Sequence, residues 1–436
     1  MGITSAFFTA TSGINSTSRA LSEIGNNLAN AQTIGYKSRS VIFGDLFGAT
    51  IGGGGTTNGL VEGRGVRVMG IDPSFTQGSL QTTSNALDLA IDGDGFFWVK
   101  DSNGNDFYTR AGQFGIDSSG NIVTPADMKL QGFQANSSGT ILGTTGDLIL
   151  TTTQESGSAT TSASMSGNLK ASETATTFAI SDPVGTSHFS TGLRVFDSLG
   201  VGHDLTIYFT KTAANTWQYN VVASTSEVSS TSTSGTNALV ARGTLGFTTA
   251  GLLDTESSVT YFNSGGTGID FTGAATGQTI AFDFGTSITT DGGSGTDGML
   301  QQGGDSVLLT LSQNGFANGT LVGTTIGENG VITGRFSNGT TRNLGQVALV
   351  RFSNPDGLQP VGRNLFIQTA DSGTPLSGAP SSGSFGKVFA NTLETSNVDL
   401  GDELVNMITM QRGFQANARI ITTTDTLLGE LVNLSR

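Results

Sequence analysis

Residues 3–31 read ITSAFFTATSGINSTSRALSEIGNNLANA, and this stretch determines how the rest of the chain is interpreted. Its apolar residues recur at alternating spacings of four and three, the a/d pattern of a heptad repeat carried over four repeats. The pattern predicts an N-terminal helix over residues 1–31 that packs against another helix as a coiled coil. The main apolar positions of this seam are Phe7, Ile14, Leu21, Ile24 and Leu28.

A second helical pattern occupies the other end of the chain, over residues 396–436. Ser396 and Asp399 have the spacing of a capping box, which predicts that the helix begins there. The apolar positions form two neighbouring seams, so contact with more than one helix is expected. Gln411 and Asp425 interrupt the main seam, which an isolated two-stranded coil tolerates poorly. The contact positions selected from both seams are Leu404, Met407, Phe414, Ile421, Leu428 and Leu431.

The middle of the chain alternates apolar and polar residues between Asn-Gly, Asp-Gly and other glycine-rich turns, which is typical of short β-strands. Hairpins are predicted around the turns 197–200 and 337–340, and Trp217, Tyr219 and Val221 alternate along one strand. Many short strands favour sandwiches or barrels. Ser/Thr-rich and Gly-rich runs near 150 and 300 predict an outer β domain (151–305) inserted into an inner one (75–150 and 306–395).

The predicted fold is therefore mostly β with α-helical termini. The N- and C-terminal helices pair as a coiled coil, and two stacked β domains are inserted between them. Because the helices flank a nested β region, the chain ends are expected to lie side by side and antiparallel.

Composition excludes several classes of function. The formal net charge is -14, whereas a nucleic-acid-binding protein needs a basic face to neutralise phosphates. The chain has no cysteine and only two histidines, so no catalytic set, metal site or cofactor site is predicted, and the protein is not expected to be an enzyme. No apolar run approaches the roughly 18 residues of a membrane span, and no cleavable signal peptide is visible at the N-terminus.

The stretch Gly25–Lys37, which follows the first helical pattern, resembles the N-terminal signature of the flagellar rod and hook axial proteins. The matching residues are Asn26, Asn27, Asn30, Thr33, Gly35, Tyr36 and Lys37. A partner signature near the C-terminus, over residues 394–400, 403–407 and 411–412, is carried by Asn397, Val398, Asp399, Gln411 and Arg412. Between them, residues 85–97 and 107–114 resemble the inner β domain of that family. Together the three matches bracket the chain. The outer β domain is an insert of about 150 residues that points to the hook proteins of this family. Residues 193–200 and 203–204 within it resemble the outer domain of hook proteins.

The resemblance implies a structural subunit that polymerises into a short, curved, hollow helical tube. Such a tube acts as a universal joint and transmits torque from the rod to the filament. It implies an extended connector over residues 32–74 and a coiled-coil layer in which the seam residues above contact neighbouring subunits. The implied partners are further copies of the chain, rod proteins at the proximal end, hook cap and hook–filament junction proteins at the distal end, and the flagellar export apparatus. The implied location is extracellular, in the hook, reached without a cleaved signal peptide.

Two other functions fit parts of the sequence. A distal rod subunit of the flagellar basal body would carry the same end signatures, but the long insert argues against it. A secreted β-rich adhesin would account for the strands, but it would not need heptads at both ends.

Overall fold

A computed structural model describes the backbone of residues 2–46, 49–51, 60–150 and 154–434, and the side chains of residues 5–46, 63–150 and 154–430. Helix α1 spans Gly2–Ala29 and helix α2 spans Leu400–Leu434. A short 3-10 helix spans Pro355–Gly357. The helices pack against each other, and the remaining elements are strands, so the predicted fold class is confirmed.

The strands are short and are separated by turns. The first twelve are β1 Arg39–Asp45, β2 Ala49–Ile51, β3 Leu60–Glu62, β4 Val66–Pro73, β5 Leu80–Thr82, β6 Leu89–Asp92, β7 Phe96–Lys100, β8 Asp106–Thr109, β9 Gly115–Ile116, β10 Ile122–Val123, β11 Lys129–Ala135 and β12 Ile141–Asp147. The next fifteen are β13 Gln154–Glu155, β14 Ser162–Lys170, β15 Phe189–Phe196, β16 Gly202–Ala213, β17 Thr216–Ser224, β18 Val228–Ser229, β19 Ser232–Ser234, β20 Asn237–Phe247, β21 Leu253–Glu256, β22 Thr260–Tyr261, β23 Asp270–Phe271, β24 Ala281–Asp283, β25 Met299–Gln302, β26 Val307–Gln313 and β27 Gly319–Ile326. The last are β28 Val331–Phe336, β29 Thr341–Val347, β30 Leu349–Arg351, β31 Gln359–Gly362, β32 Leu365–Ile367, β33 Leu376–Gly378, β34 Lys387–Ala390 and β35 Thr392–Glu394.

The chain divides into two compact units. The first comprises Met1–Thr151, Gly323–Arg335 and Thr341–Arg436, and the second comprises Thr152–Val322 and Phe336–Thr340. The first unit contains the ladder β28-β29-β11-β7-β8-β32-β31. Side chains of β7 alternate between the two faces of this ladder. Phe97 and Val99 belong to one apolar cluster, and Phe96 belongs to an aromatic cluster with Tyr108 and Phe352.

Two strand pairs tie the segment that precedes α2 to strands β5 and β6 of the first unit. Strand β34 pairs antiparallel with β6, placing Val388 opposite Ile91, and β35 pairs with β5, placing Leu393 opposite Gln81. Helix α2 begins shortly after β35, and its first turn is capped by Asp399, whose Oδ1 accepts hydrogen bonds from the amides of Gly401 (2.7 Å) and Asp402 (3.2 Å). The helix therefore begins later than the expected Ser396, because Asp399 is the residue that satisfies its free N–H groups.

The connector, expected to run extended over residues 32–74, folds back on itself. Strands β1 and β4 form an antiparallel pair from Arg39 opposite Pro73 to Asp45 opposite Val66. Its end is held against α1, since the Val66 amide donates to Ser12 Oγ (3.2 Å) and Ser16 Oγ donates to the Val66 carbonyl (3.3 Å). Pairing gives hydrogen-bond partners to backbone N–H and C=O groups that would be unpaired in a single extended strand. Residues 47–48 and 52–59 of this connector lie outside the described residues.

The second unit contains the sheet β15-β16-β17-β20-β19 and a smaller sheet centred on β14, with an apolar core formed by strands of both sheets. The hairpin predicted around residues 197–200 is confirmed by the β15–β16 pair, and Trp217, Tyr219 and Val221 on β17 are buried, as their alternation indicates. The second unit extends past the expected boundary at 305, because β26 pairs with β14, placing Leu311 opposite Met165.

Candidate functional site

The two terminal helices run antiparallel at very short range. The Cβ position of Gly13 lies only 2.6 Å from Asn417 Nδ2, and the Cβ position of Gly413 lies 3.8 Å from Thr17 Cγ2. Further along α1, Asn27 Nδ2 donates to Glu403 Oε1 on the first turns of α2 (2.8 Å). A Cβ at position 13 would displace the Asn417 side chain, so glycine at this position leaves room for that side chain between the two helices.

The buried stripe of α1 differs from its apolar seam. Among the predicted N-terminal contact positions, Ile24 is buried, Ile14, Leu21 and Leu28 are half-buried, and Phe7 is 38% exposed. The difference arises because close helix packing and the β1–β4 hairpin select small side chains, whereas the heptad pattern counts only apolar ones. The buried residues of α1 within the described side chains are Ala10, Gly13, Ser16, Ala20, Ile24 and Asn27.

Helix α2 leaves most of its apolar side chains uncovered. Among the predicted contact positions, Leu404 and Leu428 are 47% and 38% exposed, and Met407, Phe414 and Ile421 are half-buried. The side chain of Leu431 lies outside the described residues. Other large apolar side chains of this helix are also exposed: Leu400, Val405, Ile408, Ile420 and Leu427. The first unit by itself therefore covers only a narrow strip of α2.

Asn27, from the first signature, joins both helices to the chain that follows α1. Its Nδ2 donates to the Arg39 carbonyl (2.8 Å) as well as to Glu403, and its Oδ1 accepts from the Arg39 amide (3.0 Å) and the Tyr36 hydroxyl (3.1 Å). Tyr36 is itself buried, and burial raises the pKa of its hydroxyl, which keeps it a neutral donor. These contacts fix the direction in which the helix pair leaves the β region.

A buried ionic triad lies next to Asn27. Lys37 Nζ is 2.6 Å from Glu394 Oε1, and Arg110 Nη1 is 3.4 Å from Glu394 Oε2. Lys37 Nζ also donates to the Thr76 carbonyl (2.7 Å), and the Gly78 amide donates to Glu394 Oε1 (2.9 Å). Burial lowers the pKa of Lys37 and of Arg110, and the Glu394 carboxylate opposes both shifts. The triad joins three segments that are far apart in sequence.

The contacts of Asn27 and the triad form a junction between the helix pair and the strands, and two further signature residues, half-buried Asn397 and buried Gly35, complete it. Asn397 Oδ1 accepts from the Ser38 amide (2.7 Å), and its Nδ2 donates to the Ser74 carbonyl (2.8 Å). The Gly35 amide donates to the Glu394 carbonyl (2.8 Å). Gly35 has φ 67°, and a Cβ there would lie 2.5 Å from the Ala111 amide nitrogen, so glycine is required by both conformation and space.

The other signature residues lie away from the triad. Asn30 Nδ2 donates to the Asn26 carbonyl (2.9 Å), and Thr33 Oγ1 donates to Asn30 Oδ1 (3.1 Å), so these residues shape the turn that ends α1. Asp399 caps α2, and the Val398 amide donates to Ser396 Oγ (3.3 Å). Gln411 and Arg412 are exposed on α2, where they contribute nothing to the junction.

Three residues of the junction are absent from the site residues that the sequence predicts: Arg110, Glu394 and Glu403. Each lies within a stretch that carries the family resemblance, but none was selected as a site residue. No local signal marks them: Thr392-Leu-Glu394, for example, is a strand of mixed polarity in which a glutamate is not unusual. Among the described residues, no group of three His, Asp or Glu side chains is placed to hold a metal ion. Neither terminal helix, over its described length, has the apolar character needed to cross a membrane.

Three known families match successive parts of the chain. Residues 90–183 match the flagellar hook protein FlgE/F/G D1 domain, and residues 164–316 match the flagellar basal body protein FlaE D2 domain. Residues 390–434 match the flagellar basal body rod FlgEFG protein C-terminal family. The last match contains Asn397 of the junction and the whole of α2.

Full-length relatives are similar to the chain throughout. The flagellar hook protein FlgE of Salmonella typhimurium is 36% identical over 435 residues, covering 98% of this chain and all of the relative. The hook protein FlgE of Borreliella burgdorferi is 33% identical, covering 98% and 99%. The crystal structure of the Helicobacter pylori flagellar hook protein FlgE2 superposes with a TM-score of 0.50 at 16% identity, covering 72% of this chain and all of that one. This likeness supports the fold.

Proposed function

The chain belongs to the flagellar hook protein FlgE family, and we propose that it is a structural subunit of the bacterial flagellar hook. In this role the subunits polymerise into a curved hollow tube that acts as a universal joint between rod and filament. The observation that carries the proposal is the terminal helix pair: many large apolar side chains of α2 stay exposed, while a buried junction anchors the pair to the β region.

The exposed helix faces are the proposed contacts between subunits. Covering apolar surface in an assembly stabilises it by about 25 cal/mol per Å² removed from water, and α2 has large apolar side chains available along its length. Neighbouring copies supply the missing cover, because a homopolymer presents the same helices again. The positions assigned to this interface are Phe7, Ile14, Leu21, Leu28, Leu404, Met407, Phe414, Ile421, Leu428 and Leu431. Ile24, the remaining position of the predicted seam, is buried within its own chain and is therefore left out.

The two compact units take different roles in this proposal. The first unit, with the helices and the junction, corresponds to the inner part of the tube, and the second, which is built on the long insert, corresponds to the outer domain. Outer surfaces rich in Gly, Ser and Thr slide past one another at small free-energy cost, because no large apolar interface has to break when the tube bends.

The partners follow from the same role. Rod proteins meet the proximal end of the polymer, and hook cap and hook–filament junction proteins meet the distal end. The subunit reaches its extracellular location through the flagellar export apparatus, without a cleaved signal peptide. These assignments rest on family membership.

Electron microscopy of the purified protein under polymerising conditions tests the function. Curved tubes are the expected result. Straight rods would favour the distal rod alternative, and persistent monomers at high protein concentration would contradict an axial structural role.

A further inference from the structure

A cavity of about 260 Å³ lies on the first unit, and Arg110 of the ionic triad forms part of its wall. Aromatic rings and charged side chains share its lining, and none of the lining residues belongs to either terminal helix. The lining includes Phe75, Asp94, Phe96, Arg110, Arg351 and Phe352.

Arg110 brings an incompletely satisfied charge to this cavity. The side chain is only 5% exposed, its Nη1 meets Glu394 and its Nη2 donates to the Gly93 carbonyl (2.8 Å). Its Nε is buried and has no hydrogen-bond partner among the described residues. Glu394 is shared with Lys37, so two buried cations have one buried carboxylate between them. A buried charge without a full complement of partners is costly, and a nearby anion relieves that cost.

A second arginine, Arg351, adds another positive charge to the cavity lining. Arg351 Nη2 is 3.2 Å from Asp94 Oδ2, and Arg351 Nη1 donates to Ser384 Oγ. Asp94 is 73% exposed, so its pairing with Arg351 is weakened by solvent. Counting Lys37, Arg110 and Arg351 against Glu394 and Asp94, the cluster carries three positive and two negative charges. It has one positive charge in excess.

The aromatic lining selects the shape of the anion. Phe75 and Phe96 meet edge to face with centroids 5.4 Å apart, and Phe96 and Phe352 meet at 6.1 Å. The Arg110 guanidinium lies 5.4 Å from the centre of the Phe96 ring. Apolar rings around an arginine pair accommodate the methylene stem of a glutamate or aspartate while its carboxylate meets the cations.

We propose that this cavity receives a carboxylate side chain from a second copy of the same chain in the assembled tube. The inference rests on the proposed function and adds a specific polar contact to the apolar helix contacts. The chain carries 34 acidic residues against 20 basic ones, so the surface of a neighbouring copy offers carboxylates in excess. Electrostatic complementarity of this kind fixes register between subunits more than it adds affinity.

Zero-length crosslinking identifies the occupant directly. The variant Arg351→Lys combined with Asp94→Asn places a primary amine in the cavity and removes the carboxylate that would react with it within the chain. Tubes of this variant are treated with a carbodiimide, which couples amines to carboxylates in contact, and digested for mass spectrometry. Residue 351 is expected to crosslink to an Asp or Glu of another copy, shown by mixing isotopically light and heavy subunits. The natural pair Lys387–Glu328, 2.8 Å apart, serves as the internal control for the reaction.

The effect on assembly gives a second readout. Arg351→Glu is expected to raise the critical concentration for tube formation by roughly tenfold, because it places like charges together. Asp94→Asn, which leaves the arginines free for an incoming anion, is expected to lower the critical concentration. Urea unfolding of the monomers checks that both variants fold as the wild type does.

Two results together would overturn the inference and leave the proposed function standing. In the first, tubes form and the Lys387–Glu328 control crosslinks, but residue 351 does not crosslink to another copy. In the second, Arg351→Glu assembles at the wild-type critical concentration. Binding of acetate by the monomer together with that negative crosslinking result would assign the cavity to a small free anion and would equally overturn the docking proposal. Failure of the wild type to form any tube would remove the proposed function and this inference with it.

Discussion

The second β unit buries its large apolar side chains, whereas the terminal helix pair leaves many of its own exposed. On β17, Trp217 and Val221 are fully buried within their own unit, and the core around them draws on strands of two sheets. On α2, Val405 and Ile408 are more than half exposed, and Thr424 is the one buried side chain among those described. A domain that closes its own core is complete as a monomer, whereas a helix pair with an open apolar face is completed by other molecules.

The junction explains how both behaviours fit in one chain. Its buried hydrogen bonds and ionic triad tie α1, α2 and the strands of the first unit to each other, so the open helix pair is attached through polar contacts of defined geometry. Polar contacts of this kind specify direction, whereas apolar contacts mainly supply stability. A joint that transmits torque needs both properties.

The largest effect is expected from a charge placed among the apolar seam positions of the terminal helices. Leu21→Asp or Ile421→Asp is expected to abolish polymerisation without unfolding the β units, because an ionised carboxylate is not tolerated in an apolar interface. Sedimentation and electron microscopy measure assembly, and Ser22→Asp and Thr422→Asp on the exposed sides of the same helices are the matched controls. Normal tubes from the seam variants would contradict the interface assignment.

Removing the carboxylate of the triad tests the junction. Glu394→Gln leaves Lys37 and Arg110 buried without their counter-charge and is expected to destabilise the first unit by about 3–5 kcal/mol. Urea unfolding followed by the fluorescence of Trp98, in a Trp217→Phe background, reports on that unit. The control is Glu328→Gln, which breaks an exposed pair with Lys387 and is expected to cost about 0–1 kcal/mol. Equal losses in both variants would show that the triad is energetically unimportant.

A smaller effect is expected from the tight turn that positions the triad. Gly35→Ala combines a left-handed φ with a clash against the backbone of Ala111, and a loss of about 2–3 kcal/mol is expected. Gly104 also has positive φ, at 85°, but faces open space, so Gly104→Ala isolates the backbone strain and is expected to cost about 1 kcal/mol. If the two variants lose the same stability, close packing at Gly35 plays no part.

The smallest predicted effect concerns pH and the second unit. Burial, aided by the nearby Asp291 and Asp283 carboxylates, raises the pKa of Glu256 to about 7 from its ordinary 4.5, and its Oε1 lacks a hydrogen-bond partner among the described residues. Because the folded state holds this proton more tightly than the unfolded state, that contribution to stability is complete at low pH and is lost as the pH rises through about 7.

Glu256→Gln keeps the group neutral and is expected to flatten this decline. Its urea midpoint should exceed that of the wild type at pH 8 and approach it at pH 5, measured by Trp217 fluorescence in a Trp98→Phe background. The control is Asp204→Asn, at an exposed carboxylate of the same unit, which should leave the pH dependence unchanged. A decline as steep in Glu256→Gln as in the wild type would exclude this residue as its source.

Local periodicity was sufficient for the elements themselves. The four–three spacing from Phe7 to Leu28 predicted α1, and the alternation of Trp217, Tyr219 and Val221 predicted a buried strand face, since both patterns follow from helix and strand geometry. Family signatures then pointed to Asn27, Tyr36, Lys37 and Asn397, which the structure brings to one junction.

Tertiary structure alone decided what those residues contact. Lys37 meets Glu394 across 357 residues of sequence, and Arg110 joins them from a third segment, so no local pattern reveals the triad. Packing of α1 in the folded chain buries small side chains such as Ala10 and Ala20 more completely than most of the apolar seam, and the connector forms a hairpin because its backbone groups need partners. Sequence periodicity thus determined which segments are helix and strand, whereas long-range packing decided which polar groups are buried, because the free energy of a buried charge depends on partners that only the folded chain brings near.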